Sequence, residues 1–173
     1  MSDIRRRKRH KTMRTYLGDI SELALSIMLA QAAGILGAIL TLPSINSWYR
    51  YLEKPSFTPT GRFISLTWTI LYTLMGISAF LVWRRGLNYP GVKGALLLYA
   101  IQLAFNVLWS WAFFYLRSPL SGLAVISLLW ISVLSAMLKF RKISRTAFAM
   151  MIPYISWISI AAYLNYSLWK LNK

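Results

Sequence analysis

The run "LALSIMLAQAAGILGAILTL", Leu23–Leu42, contains no Lys, Arg, Asp or Glu. At about 1.5 Å of rise per residue, a helix of this length reaches about 30 Å, the thickness of a bilayer's hydrocarbon core. Four later stretches repeat the feature: Phe63–Trp83, Gly94–Leu116, Leu120–Leu138 and Ala147–Trp169 also lack charged side chains. The 173-residue chain is 57% hydrophobic and only 14% charged, whereas soluble domains are about half apolar and a quarter charged. These features predict an all-α integral membrane protein, a bundle of five transmembrane helices with spans at about 23–42, 63–83, 94–116, 120–138 and 147–169.

The charges sit between the spans and predict an orientation. Fourteen basic residues fall on the side of the N-terminus: seven from Arg5 to Arg14, then Arg84, Arg85, Lys93, Lys139, Arg141, Lys142 and Arg145. Six fall on the other side: Arg50, Lys54, Arg62, Arg117, Lys170 and Lys173. The excess predicts a cytoplasmic N-terminus and an outside C-terminus. The net charge of +16 and the run "RRRKRHK" (residues 5–11) resemble a nucleic-acid patch. Topology signals and contact with anionic headgroups account for such residues in a membrane protein, so no nucleic-acid partner is expected. Ala30-Gln31-Ala32 imitates a signal-peptidase site, but the apolar run continues past it, and the first helix is expected to be retained.

Other chemistries lack their residues. There is no cysteine, and the single histidine, His10, lies in the basic segment, so neither thiol chemistry nor a metal site is expected. No acid falls within a predicted span, which argues against a proton relay or ion-coupled pump. Ordinary acid–base or nucleophilic catalysis has no residue pair to use.

Residues 1–20 read as a basic cytoplasmic tail and 21–173 as one membrane domain without an internal repeat. Residues 44–62 stand out as a long loop containing Pro55 and Pro59, with Pro43 just before it. A proline-stiffened loop of this length suits a lid. Polar and aromatic residues in the spans fall into stripes at helical spacing. These are Gln102, Asn106, Trp109 and Phe113; Trp68, Tyr72, Met75, Ala79 and Trp83; and Tyr154, Trp157, Ala161, Leu164 and Leu168. The buried amides either tie helices together or line a cavity. Trp48, Trp83 and Trp169 fit an interfacial aromatic belt. Small residues at Ala30/Gly34/Ala38, Ala33/Gly37 and Ala100/Ala104 suit close helix packing or a homodimer.

Four segments carry a resemblance: "WYRYLEKPSFTPTG" (48–61), "WTILYTLMGISAFLVWR" (68–84), "LYAIQLAFNVLWSWAFF" (98–114) and "PYISWISIAAYLNYSLWKLN" (153–172). In order and register they resemble the translocator protein family (TspO/MBR, tryptophan-rich sensory proteins) over about residues 34–172. One departure stands in the lid. The family usually has Trp-x-Pro-Pro after Lys-Pro-Ser, where this chain has Phe57-Thr58-Pro59-Thr60, which implies a less stiff lid.

The resemblance implies a five-helix bundle, often dimeric, with a pocket roofed by the first loop. It implies no intrinsic cofactor, with protoporphyrin IX or haem as ligand, and sterol-like molecules as further partners. Residues at the matching positions are Tyr49, Pro59, Trp68, Tyr72, Asn106, Trp109, Trp157, Ala161 and Leu164. Arg50, Lys54 or Arg62 would meet ligand propionates or, equally, lipid headgroups. Leu164, Tyr166 and Lys170 fit the proposed cholesterol pattern. The expected role is a membrane receptor or sensor of tetrapyrroles that helps regulate or move them under stress. The alternatives are a porphyrin transporter or light-dependent porphyrin breakdown using Trp68 and Trp157. A bacterial plasma membrane is the expected location, with other envelope or organelle membranes as alternatives.

Overall fold

The computed structural model describes residues 2–173, with side chains from residue 18 onward; the side chains of the basic tail, residues 1–17, lie outside it. Five helices follow one another: α1 (Ser2–Ser44), α2 (Gly61–Trp83), α3 (Val92–Ser110), α4 (Pro119–Ile143) and α5 (Arg145–Leu171). Each has a segment long and apolar enough to cross a membrane, beginning with Gly18–Tyr49. In lipid this is the expected solution, because a helix satisfies its own backbone polar groups. Going around the bundle, the neighbours run α1, α2, α5, α4, α3 and back to α1.

Hydrocarbon gives apolar helices no hydrophobic reason to associate, so close packing and hydrogen bonds must hold them. At Gly76 α2 rides directly on the backbone of α1: a Cβ there would lie 2.5 Å from Ile27 Cα. Just above, Gln31 Nε2 donates to Thr69 O and to Thr73 Oγ1, both at 3.0 Å. Ser78 Oγ donates to Ala147 O at 2.8 Å, joining α2 to α5 inside the core. Met75, Val82, Val133, Phe140, Met151 and Ile158 are fully buried around these ties, and they fill the end of the bundle away from the lid.

The termini of the helices depart from the spans expected of the sequence. The first helix does not stop near Leu42. It passes through Pro43 into a wider π turn, Ile45–Tyr49, and stays helical to Tyr51, so the irregular lid is confined to 52–60. Proline removes one backbone donor and crowds the preceding turn. Here the π turn opens two residues past the proline, and within it the Ser47 hydroxyl donates to Pro43 O at 2.8 Å. A second π turn, Trp111–Tyr115, ends α3. The connection between α4 and α5 is Ser144 alone; its hydroxyl accepts from Ala147 N at 3.2 Å and caps α5. The basic residues Lys139, Arg141, Lys142 and Arg145, expected in a loop, are therefore helical.

Between α3 and α4, Arg117 adopts φ +52°, alone among the described non-glycine residues in having a positive value. A side chain in that region is strained by about 1–2 kcal/mol relative to glycine, which in turn loses more chain entropy on folding. Arg117→Gly is expected to raise stability by up to about 1 kcal/mol, with Arg117→Val moving the other way, as read by thermal unfolding in detergent.

Candidate functional site

At the lid end the bundle is hollow. A cavity of about 570 Å³ lies among α1, α2, α3, α5 and the lid, within the range of small-molecule pockets. Its α3 wall is a cluster of rings. Trp109 stacks on Phe113 at 5.6 Å and meets Phe114 edge-on at 5.9 Å, while Tyr49 from the π turn of α1 lies 5.5 Å from Phe114. Phe114 follows Asn106 and Ser110 at intervals of four, so helical spacing turns it to the same face as Phe113. Both phenylalanines line the cavity, and in the π turn that carries them Ser44 Oγ donates to the Phe114 carbonyl at 2.7 Å. From α2 and α5 come Trp68, Tyr72 and Trp157, with Trp68 stacked on Tyr72 at 5.5 Å.

A polar chain closes the floor. Tyr72 donates its hydroxyl proton to Asn106 Oδ1. Asn106 Nδ2 donates to Tyr154 Oη at 3.0 Å, and Tyr154 donates in turn to Gln102 Oε1 at 3.0 Å. Asn106 thus both ties helices and lines the cavity, whereas Gln102 only ties. Nearby, Trp109 Nε1 donates to Asn165 Oδ1 at 3.0 Å, and Asn165 Nδ2 donates to Pro119 O at 2.7 Å. The buried indole N–H of Trp157 has no partner. An unpaired buried donor costs about 1–3 kcal/mol, and an acceptor on a ligand would relieve it.

The roof is the lid. Lys54, Thr58 and Pro59 line the cavity from above. Thr58 closes a turn on Pro55, its N–H and hydroxyl both donating to Pro55 O, at 3.0 and 2.7 Å. Phe57 stacks on Tyr163 of α5 at 5.2 Å. The side wall is less complete. Above the Gln31 tie, the bordering residues Ile35, Ala38 and Leu42 of α1 and Ser65 and Thr69 of α2 are all exposed. Between these two helices the chamber therefore opens toward the lipid.

Tyr49, Pro59, Trp68, Tyr72, Asn106, Trp109, Trp157, Ala161 and Leu164 all line this one cavity. The cholesterol pattern is not brought together. Leu164 faces the cavity, whereas Tyr166 and Lys170 are exposed and Tyr166 packs on Trp169 at 5.9 Å. Trp48, expected in an interfacial belt, is half-buried and sets its ring against Phe113 at 5.6 Å. Sequence reading missed the contribution of α1. Gly34, read there as a packing residue, leaves the space that the Tyr72 ring fills and lines the cavity with Gln31 and Ala38. Gln31 and Thr41 were the polar signal this span offered; its small residues alone do not separate these uses.

Five apolar helices, four of which enclose an aromatic chamber, define a multi-pass integral membrane protein with an internal cavity. The sequence profile of the TspO/MBR family matches residues 26–170, and the chain belongs to that family. It is 39% identical over 153 residues to the tryptophan-rich protein TspO of Chlorobaculum tepidum, spanning 88% of this chain and 97% of that one. To the protein of the same name from Archaeoglobus fulgidus it is 36% identical, spanning 89% and 99%. The translocator protein of Bos taurus is 31% identical, spanning 84% and 87%.

Proposed function

We propose that the chamber receives a flat tetrapyrrole, protoporphyrin IX or haem, and that the protein is a membrane receptor or sensor through which such pigments are regulated or moved under stress. One observation carries this reading: rings from α2, α3 and α5 enclose a single cavity whose floor holds a fixed amide, Asn106. Aromatic walls favour a flat conjugated ligand, each ring pair adding about 0.5–1.5 kcal/mol beyond area burial. The unpartnered Trp157 N–H offers an orienting donor. The sensor part of this reading is supported by the name of one relative, a tryptophan-rich sensory protein of Cereibacter sphaeroides that is 35% identical. The exposed Ala100 and Ala104 on α3 give a second copy a surface for close approach. A bacterial plasma membrane with the N-terminus in the cytoplasm completes the reading.

Quenching of tryptophan fluorescence by protoporphyrin IX tests it. Ala161→Phe fills the cavity without enlarging any other part of the core and is expected to abolish saturable quenching. Trp157→Ala is expected to weaken it by at least about tenfold. Saturable binding unchanged by both substitutions would place the ligand elsewhere.

A further inference from the structure

Among the cavity's lining residues only Lys54 is charged. Arg50 and Arg62, the other cations of the lid region, are exposed and do not border it. Lys54 is half-buried, and its ammonium donates to Arg50 O at 3.1 Å and Leu52 O at 3.0 Å while lying 4.8 Å from the centre of the Tyr49 ring. These partners orient the group without neutralising it. Among the described residues the one salt bridge joins Arg84 to Asp19, so Lys54 has no carboxylate. Two of its three N–H donors are used. The third, and the whole positive charge, remain at the wall of a chamber that is otherwise uncharged.

The segment that carries Lys54 is held from a distance. Asn172, just beyond α5, accepts from Glu53 N at 2.9 Å and donates to Glu53 O at 3.0 Å. The same amide donates to Leu168 O at 2.9 Å. One side chain thus grips both backbone groups of the residue before Lys54 and fixes them to the end of α5. A charged group set at a low-dielectric wall gains most from an opposite charge delivered into that wall.

We propose that the chamber selects flat aromatic carboxylic acids, that Lys54 binds the carboxylate at the lid, and that Asn172 is the positioning residue that aims it. The proposal rests on the cavity being the ligand site. The ring system then lies among Trp68, Trp109 and Trp157, with its acid arm directed up to the lid.

The test compares protoporphyrin IX with its dimethyl ester in neutral-detergent micelles, for wild type and variants in parallel, so that micelle partitioning cancels between proteins. Wild type is expected to prefer the acid by about tenfold, the size of one charge-assisted hydrogen bond. Lys54→Met removes the preference by weakening the acid far more than the ester, and an unchanged melting temperature in the same detergent reports an intact fold. Lys54→Arg retains it. Asn172→Ala lowers the acid-over-ester ratio by about threefold with the ester unaffected, which general loosening of the lid would not do. Equal affinity for acid and ester in wild type, or a preference surviving in Lys54→Met, overturns the carboxylate proposal and leaves the cavity reading standing. Saturable binding of neither compound overturns both. Loss of the preference on adding phosphatidylglycerol, with ester binding unchanged, makes Lys54 a lipid-headgroup contact and overturns it too.

Discussion

Gly76→Ala is expected to lower the stability of the bundle by about 2–3 kcal/mol, the upper part of the range for overpacked cores. The reason lies in what the new methyl would meet. It would sit 2.5 Å from Ile27 Cα and 2.9 Å from Ile27 N. Backbone atoms have no alternative rotamer to retreat into, so α1 and α2 must part. The gain of about 1 kcal/mol in helix propensity from glycine to alanine offsets only a part. Gly18→Ala supplies the comparison, because nothing lies within 4 Å of a Cβ at that site. Thermal or dodecyl-sulfate unfolding should show Gly76→Ala well below wild type and Gly18→Ala at or above it. Porphyrin affinity should fall with Gly76→Ala, since α1 forms one wall of the chamber. Equal stability of wild type and Gly76→Ala would mean that the two helices do not ride on one another at this point.

Asn106→Leu is expected to cost about 1–3 kcal/mol. Leucine keeps the approximate volume but withdraws the acceptor of Tyr72 and the donor to Tyr154. The Tyr72 hydroxyl is then left in a dry interior. Hydrogen bonds between membrane helices average less than this, about 0.6 kcal/mol in double-mutant cycles, so the larger share comes from the orphaned group. The double variant Tyr72→Phe/Asn106→Leu removes that orphan and should be more stable than the two single effects predict, by about 1 kcal/mol. Strict additivity would show that the two residues do not share a bond.

Much of this arrangement can be read from the residues, and the exceptions have physical causes. The five spans are plain because a charge in hydrocarbon is costly and the sequence withholds it from each run. The stripes on α2, α3 and α5 are legible because a polar or aromatic residue stands out against leucine and isoleucine at helical spacing. Asn106, Trp109 and Trp157 were recoverable in this way. The part played by α1 was not, since Gly34 and Ala38 look alike whether they serve a neighbour's ring, a cavity or another chain. Phe114 lies at helical spacing from Asn106 and Ser110, but next to Phe113 in an aromatic run it does not stand out. Pro43 suggests the end of a helix, but the helix passes through it into the widened turn. The grip of Asn172 on Glu53 spans 119 positions of sequence, and local pattern carries no information about such a partner.

Under the proposed function, the gap between α1 and α2 sets the phase from which a ligand enters. A solute reaching the chamber through the flank arrives by two-dimensional diffusion within the acyl layer, where greasy pigments are enriched over water by their partition coefficient. Occupancy then follows the local load of the membrane, and a compound too water-soluble to accumulate there would go undetected however well its shape matched.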